Sequence, residues 1–271
     1  MIHLAIYGTD DLKKSFLMEK EAIRIASGIP PINGTVDLYP DNLAILAALN
    51  LDYKPKPAVM SHGAYTSVLA KMDANHLLRE NAPQNIIFNI DLVDYRYPSL
   101  DDSHSWPVIW TRYAVSGYGG DYILLHRLDK PKTFSITKIH EFTVPLRSPF
   151  IIPDLQGLIW TEIEIKPTRL GRLINTLYKL PALYMAVKLK SGLMDSYRII
   201  PEMAKTGFLL SPLIKDTADF NSLMIEKRDE LLQNNTVEAV LIVSDRWRGN
   251  EGEISSLYDN NITIRLYRLD F

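Results

Sequence analysis

The stretch "PAVMSHGAYTSVLAKMDANHLLRENAPQNIIFNI", residues 57–90, carries the pattern of a strand, a helix and a second strand in a short span. Pro57–Met60 is predicted to form a short strand, and Thr66 is a residue type that caps a helix. After the break at "NAPQ", Asn85–Ile90 is a nearly continuous apolar run, typical of a strand buried on both faces. This order predicts parallel strands joined by a helical crossover.

The same alternation continues on both sides of this stretch. Residues 10–28 have apolar side chains at helical spacing, and Gly28 can end that helix. Thr35–Tyr39 is rich in residues that favour strands, and "YAVSGYGGDYILLHR" predicts two strands around a glycine-rich turn. We therefore expect residues 1–130 to form an α/β domain with a small, partly parallel sheet and flanking helices.

The pattern changes at about Pro131, where short β-type runs alternate with proline, glycine and Asx turns. "TEIEIK" and "MAVKLK" alternate apolar and charged residues, as half-exposed antiparallel strands do. Residues 131–271 are therefore predicted to form an all-β sandwich domain that contains an inserted basic amphipathic segment, residues 166–181. The boundary is placed near residues 128–133.

Composition excludes several classes of function. The chain has 271 residues, a net charge of −2 and no cysteine. A slightly acidic chain lacks the basic excess of a general nucleic-acid binder, so no nucleic-acid partner is expected. Without cysteine there is no thiolate catalysis, disulfide or cysteine-ligated metal. No run approaches the ~18 to 20 apolar residues of a membrane span.

Ser61 and His62 suggest a nucleophile and a base, but two arguments weigh against a Ser–His hydrolase. Adjacent side chains usually point apart, and a G-x-S-x-G turn is missing because Val59 stands two residues before the serine. A ligand loop is a better hypothesis, since loops at the carboxyl ends of parallel strands collect ligands and Gly63 permits close approach. The alternative is that these residues only hydrogen-bond locally.

The acidic run "IDLVDYRYPSLDD" places Asp91, Asp94, Asp101 and Asp102 around Arg96. Two carboxylates near a cleft would suit glycosidic acid/base chemistry. The alternative is structural, because aspartates cap helices and Asp94 can pair with Arg96. The candidate ligand-binding residues of this half are Ser61, His62, Gly63, Tyr65, Asp94, Arg96, Asp102 and Trp106.

Asp73 and His76 form an i, i+3 pair that can face one metal ion. The remaining histidines are scattered, and His76 shares a helix face with apolar residues. We therefore expect no metal site and no cofactor.

The segment "KPTRLGRLINTLYKLP", residues 166–181, combines four basic residues with an apolar stripe and has no acid. Its basic residues are Lys166, Arg169, Arg172 and Lys179, and its apolar stripe comprises Leu170, Leu173, Ile174, Leu177 and Tyr178. Such a segment can lie on an anionic membrane surface. Alternatively, the stripe packs on the sandwich and the charges face water.

Aromatic side chains of the second half could form a sugar-binding platform. Trp160, Trp247, Tyr258 and Tyr267 are the residues concerned, although Trp160 lies in an apolar run in which burial is equally expected. A free-standing carbohydrate-binding module would require these rings to be exposed and coplanar.

Three long stretches resemble one family. Residues 28–107, 158–189 and 197–223 are similar, in this order, to the soluble extracytoplasmic part of large polytopic bacterial membrane proteins of uncharacterised function. Those proteins look like relatives of the C-type glycosyltransferases, which use lipid-linked sugars. The matching positions include Ser61, Tyr65, Thr66, Leu69, Asn75, Asp94, Arg96, Asp102 and Trp106. His62 and Gly63 depart from the family, which is expected to have an aromatic and a small polar residue there.

The resemblance implies that the chain is an excised domain of a longer protein. It would be a non-catalytic module on the periplasmic, extracytoplasmic face of the bacterial inner membrane. Its expected partners are the transmembrane part of its own longer chain, the anionic membrane surface, and a glycan or lipid-linked sugar. The alternatives are a carbohydrate-active enzyme with paired carboxylates and a free-standing carbohydrate-binding module.

Overall fold

The computed structural model describes residues 2–153, 155, 157–225, 228–244 and 256–270. The helices are α1 Ile2–Ser27, α2 Leu43–Leu49, α3 Ser67–Leu78, α4 Ser105–Arg112, α5 Arg169–Leu177, α6 Pro201–Thr206, α7 Thr217–Met224 and α8 Arg228–Asn235. Within these ranges no helix combines the length and the apolar character needed to cross a membrane.

The strands form three sheets. They are β1 Thr35–Tyr39, β2 Asp52–Tyr53, β3 Asn85–Phe88, β4 Tyr113–Gly119, β5 Tyr122–Arg127, β6 Ser135–Pro145, β7 Phe150–Ile151, β8 Leu158–Glu164, β9 Leu183–Leu189, β10 Met194–Ile199, β11 Phe208–Ser211, β12 Val237–Ser244 and β13 Asn261–Asp270.

The first sheet has the order β2-β1-β3-β5-β4. Strand β1 runs parallel to both β2 and β3, whereas β5 pairs antiparallel with β3 and β4. The predicted partly parallel sheet is therefore confirmed. The predicted strand Pro57–Met60 is wrong, and the short β2 takes its place earlier in the chain. Pro55 and Pro57 lack the N–H groups that a strand needs for pairing, which accounts for the shift.

Helices cover both faces of this sheet. Alternate residues of a strand point to opposite faces, so neighbouring residues of one strand pack on different helices. Leu38 and Ile87 belong to a cluster with Ile45 of α2. Tyr39 and Phe88, the next residues along the same strands, belong to a second cluster that includes Leu77, Trp106 and Ile109 of α3 and α4. The flanking helices predicted for the first half are thus present.

The second half contains two antiparallel four-stranded sheets, ordered β10-β9-β12-β7 and β11-β8-β13-β6. Both sheets contribute to one buried cluster, with Met185 and Val240 from the first and Ile163, Phe208 and Ile264 from the second. Helices α6 to α8 correct the prediction that this half is all-β, whereas α5 lies within the predicted inserted segment. Helix α7, for example, begins after Asp216, whose carboxylate accepts from the backbone N–H of Asp219.

Side chains from both halves meet at the carboxyl end of β3. The rings of Phe88 and Phe220 stack with centroids 4.0 Å apart, and Trp106 packs edge-on against both. Trp160 and Leu209 belong to the same cluster. The hydrophobic core therefore continues across residue 130, where the domain boundary was predicted, and α7 lies beside the sheet edge that carries the candidate site.

Candidate functional site

The carboxyl ends of β1 and β3 form the natural ligand crevice of the first sheet. The chain leaving β1 leads to β2 on one side of the β1–β3 pair. The chain leaving β3 leads to β4 and β5 on the other side, so the two connections diverge between β1 and β3. Ligands of open α/β sheets bind at such a point. The Ser61 N–H donates to the carbonyl of Pro40 at 3.0 Å, which brings the "SHGAY" loop to this crevice.

The crevice is closed. A cavity of about 20 Å³ remains there, which is room for a single water molecule. It is lined by residues that include Tyr39, Ser61, Phe88, Asn89, Asp101 and Trp106, whereas Asp94 and Arg96 are not among its lining residues. The predicted segments converge, but they leave no space for an organic ligand.

The "SHGAY" loop is a short 3-10 turn at Ser61–Gly63, followed by helix α3. Thr66 caps α3 by accepting from the N–H of Leu69, as the sequence predicts. The imidazole Nδ1 of His62 lies 2.9 Å from a carboxylate oxygen of Asp41, and the buried Ser61 hydroxyl has no hydrogen-bond partner among the described residues. The pair therefore lacks the bond that activates a serine nucleophile.

Arg96 is the structural centre of this region. Its buried guanidinium donates to Asp101 Oδ1 at 3.1 Å, to the carbonyl of His62 at 3.0 Å and to the Tyr65 hydroxyl at 2.7 Å. Burial raises the pKa of Asp101, whereas Arg96 acts against that rise. The predicted residues Arg96 and Tyr65 thus hold the loop in place through charge-assisted hydrogen bonds.

The three carboxylates proposed for acid/base chemistry do not face one another across a cleft. Asp94 is exposed and pairs with Arg198 at 2.7 Å, while Asp101 pairs with Arg96. Asp102 is completely buried. Because two groups are used in ion pairs and the third is enclosed, the geometry of a glycosidase is not formed here. Trp106 is also buried, so its ring is unavailable for stacking on a sugar.

A buried polar cluster lies behind the closed crevice, and the sequence did not indicate it. Its members are Asp37, Tyr39, Lys56, Asp73, His76, Asp102 and Ser105. The Lys56 ammonium is 1% exposed, donates to the carbonyl of Leu38 at 2.7 Å and lies 3.7 Å from the centre of the Tyr39 ring. The only sequence signals were a charged residue inside "TVDLY" and a lysine between two prolines.

The pKa values of this cluster follow from burial. Burial raises the pKa of Asp37 to about 6, although Lys56 acts against it. Burial likewise raises the pKa of Asp73 to about 6. The pKa of Asp102 is well above its usual value because the group is buried and Asp73 lies nearby. His76 has a lowered pKa for the same reason, since burial disfavours its charged form.

His76 and Asp73, the pair considered for a metal, belong to this cluster. The nearest carboxylate to His76 Nε2 in an ion-pair geometry is Asp37, at 3.9 Å. In the part of the chain that the structure describes, no group of three or more acidic or histidine side chains is arranged to hold a metal ion.

A larger cleft of about 690 Å³ adjoins the closed crevice and shares Asn89–Asp91 with it. Its other walls are the adjoining ends of β4 and β5, with Tyr118 and Tyr122, and the N-terminal half of α7, with Asp216 and Asn221. Sequence reasoning missed this cleft because its residues come from three distant parts of the chain.

Helix α5 lies within the predicted basic segment. Gly171 is buried against the backbone of Leu257, and Ile174 packs on the core, which sets the inward face. The outward apolar residues are Leu170, Leu173, Leu177 and Tyr178, of which the last two are 75% and 74% exposed. Together with Lys166, Arg169, Arg172 and Lys179 they form what we call the α5 surface.

Among the described residues of the second half, Trp160, Tyr258 and Tyr267 do not form a common exposed platform. Trp160 is buried, and so is Tyr258, whose hydroxyl donates to the carbonyl of Pro181 at 3.0 Å. Tyr267 is half-buried on β13, and Trp247 lies outside the described residues.

A scan against protein-family models gave no match, and searches of curated proteins and of solved structures gave none either.

Proposed function

We propose that this chain is a non-catalytic module that rests on the anionic, extracytoplasmic surface of a bacterial inner membrane as part of a longer membrane protein. Its task is to bind or position a glycan or lipid-linked sugar, or to brace the transmembrane part. The α5 surface is the observation that carries this proposal, because its leucines project outward instead of packing on the core.

An estimate of the free energy of membrane binding supports attachment through the α5 surface. Inserting three leucine side chains about halfway into the interface contributes about 3 kcal/mol. Three basic residues near an anionic surface add about 1 kcal/mol each. Lys166 contributes less, because it already pairs with Glu164 at 3.3 Å. A total of about 6 kcal/mol corresponds to dissociation constants of tens of micromolar, so attachment is reversible and a second anchor is required for permanence.

The contacts and burial of the candidate catalytic side chains support the non-catalytic assignment. Asp94 and Asp101 are used in ion pairs, Asp102 is enclosed, and Ser61 has no base bonded to it in the described part of the chain. For the second half we propose that the two antiparallel sheets pack as a sandwich, supported by the cluster to which both contribute.

Vesicle co-sedimentation tests the membrane placement. We expect the chain to sediment with vesicles of phosphatidylcholine and phosphatidylglycerol, much less with phosphatidylcholine alone, and less as salt rises. The variant Arg169→Gln/Arg172→Gln/Lys179→Gln should lose this binding. The matched control Lys71→Gln/Lys130→Gln/Lys205→Gln removes the same charge from exposed positions on other elements and should keep it. Equal loss of vesicle binding in both variants would mean that binding depends on the net charge of the chain and not on the α5 surface.

A further inference from the structure

The cleft beside the closed crevice has the position and size of a small-molecule site. It lies at the carboxyl end of β3, where the β4–β5 turn and the start of α7 face each other. Its volume of about 690 Å³ falls within the range of ligand pockets, about 300 to 1,000 Å³. The sheet edge at which it opens is the one where ligands of α/β proteins collect.

The walls of this cleft are held in place by contacts with one another and with α1. The N–H of Ile90 donates to the Thr217 hydroxyl at 3.0 Å, which ties the segment after β3 to the first turn of α7. On the other side Gly120 adopts a φ of +53° and packs directly against the carbonyl of Ser27 at the end of α1. Any side chain at Gly120 would collide there, so the turn is held against α1. The cleft is therefore largely preformed.

The lining is rich in hydrogen-bond acceptors. Asp91, Asp121 and Asp216 line it, together with Asn89 and Asn221, and one carboxylate oxygen of Asp216 already accepts from the N–H of Asp219. The buried Oδ1 of Asn89 has no hydrogen-bond partner among the described residues. None of the described lining residues is lysine or arginine. A negatively charged ligand would be repelled by these three carboxylates.

Two tyrosines add flat surface to these polar groups. Tyr118 is 56% exposed, and its hydroxyl donates to Asn221 Oδ1 at 3.3 Å. Asn42 Nδ2 donates to the Tyr122 hydroxyl at 3.0 Å. The first bond holds the exposed Tyr118 ring at the cleft, where its apolar face can pack against the C–H face of a ligand while carboxylates accept from the hydroxyl groups of that ligand. The Tyr122 ring also packs on the cluster of Leu38 and Ile87.

We propose that this cleft binds an uncharged, polyhydroxylated ligand, that is, the sugar part of a glycan, and rejects phosphate. This inference deepens the proposed function and rests on it for the kind of ligand. It places sugar recognition at Asn89–Asp91, Tyr118–Tyr122 and Asp216–Asn221, and moves it away from the "SHGAY" loop. A phosphate group of a lipid-linked sugar must then lie outside the cleft.

NMR titration of the isotope-labelled chain tests this assignment. The probes are glucose, galactose, mannose and N-acetylglucosamine at concentrations up to about 100 mM, which reach millimolar dissociation constants, and inorganic pyrophosphate as the anionic probe. We expect at least one neutral sugar to shift the amide signals of Tyr118–Tyr122 saturably, and pyrophosphate to leave them unchanged. No shift with any of the sugars, or competition by pyrophosphate, would overturn the proposal.

Variants connect the binding to the cleft. Asp121→Asn and Tyr118→Ala should each weaken sugar binding about tenfold, the effect of one charge-assisted hydrogen bond or one lost ring contact. The matched controls are Asp129→Asn and Tyr95→Ala, which change exposed residues outside the cleft and should leave affinity unchanged. Sugar binding that survives both cleft variants would place the site elsewhere. A chain that binds vesicles but no sugar contradicts this inference alone, whereas one that binds sugar but no vesicles contradicts only the membrane placement.

Discussion

The ammonium group of Lys56 lies over the ring of Tyr39, 3.7 Å from its centre, in the interior of the first half of the chain. Burial raises the pKa values of Asp37, Asp73 and Asp102, and the positive charge of Lys56 acts against that rise in all three. Since these carboxylates are buried, one lysine partly offsets the cost of enclosing three acids.

Removing this lysine should destabilise the fold strongly. Lys56→Met leaves the carboxylates without their counter-charge, so we expect the free energy of unfolding at pH 8 to fall by about 3 to 5 kcal/mol. The loss should be smaller at pH 5, where the carboxyl groups take up protons. Urea denaturation measures both values, and Lys71→Met on the exposed side of α3 should change stability by less than about 0.5 kcal/mol.

Asp37 should make stability depend on pH. Its pKa is about 6 in the folded state against an ordinary value of 3.8, so the folded state binds the proton more tightly. The resulting stabilisation is fully present below pH 3.8 and is lost as pH rises through 6.

Asp37→Asn should therefore reduce the difference in the free energy of unfolding between low and high pH by an amount on the order of 3 kcal/mol. His76 and His104 have lowered pKa values and act in the opposite direction, so the difference between the wild-type and variant profiles is the quantity to measure. Identical profiles would contradict the raised pKa of Asp37.

Arg96 should matter for stability and not for chemistry. Arg96→Met removes its bonds to His62 and Tyr65 and leaves Asp101 buried without its partner, at an expected cost of about 3 to 5 kcal/mol. Tyr65→Phe removes one bond to a charged group and should cost about 1.5 to 3 kcal/mol. If Arg96→Met unfolded at the same urea concentration as the wild type, the structural role would be wrong.

Two glycines give opposite predictions. A methyl group on Gly63 would meet no atom within 4 Å, so Gly63→Ala should leave stability within about 0.5 kcal/mol of the wild type. A methyl group on Gly171 would collide with the carbonyl of Leu257, so Gly171→Ala should destabilise the chain and displace α5. Thermal unfolding compares the two directly, and a tolerated Gly171→Ala would show that α5 is not closely packed.

Local sequence patterns predicted many of the helices and strands but not the contacts between them. The apolar strands β1 and β3 and the Thr66 cap were found because their signals lie within a few residues. The predicted strand at Pro57–Met60 is wrong because a proline N cannot donate a hydrogen bond to a neighbouring strand, whatever the apolar character of the segment. Predicted segments did converge around Ser61 and Asp101, yet the cavity between them is closed.

No local sequence pattern predicted the larger cleft, although Asp91 belongs to the acidic run "IDLVDYRYPSLDD". Asn89, Tyr118 and Asn221 lie far apart in sequence and meet only through the sheet order and the docking of α7. The partnership of Lys56 with Asp37 also depends on tertiary structure, because a charge pattern in one strand does not reveal the lysine that enters from another segment.

The most direct test of the membrane placement uses the absence of cysteine from this chain. The single-cysteine variant Leu177→Cys, labelled with an environment-sensitive fluorophore, reports whether the α5 surface enters the interface. The account predicts a shift of its emission to shorter wavelength with anionic vesicles, and no shift for a label at Thr137→Cys on exposed β6. An unchanged emission at position 177 while the chain sediments with those vesicles would contradict attachment through α5.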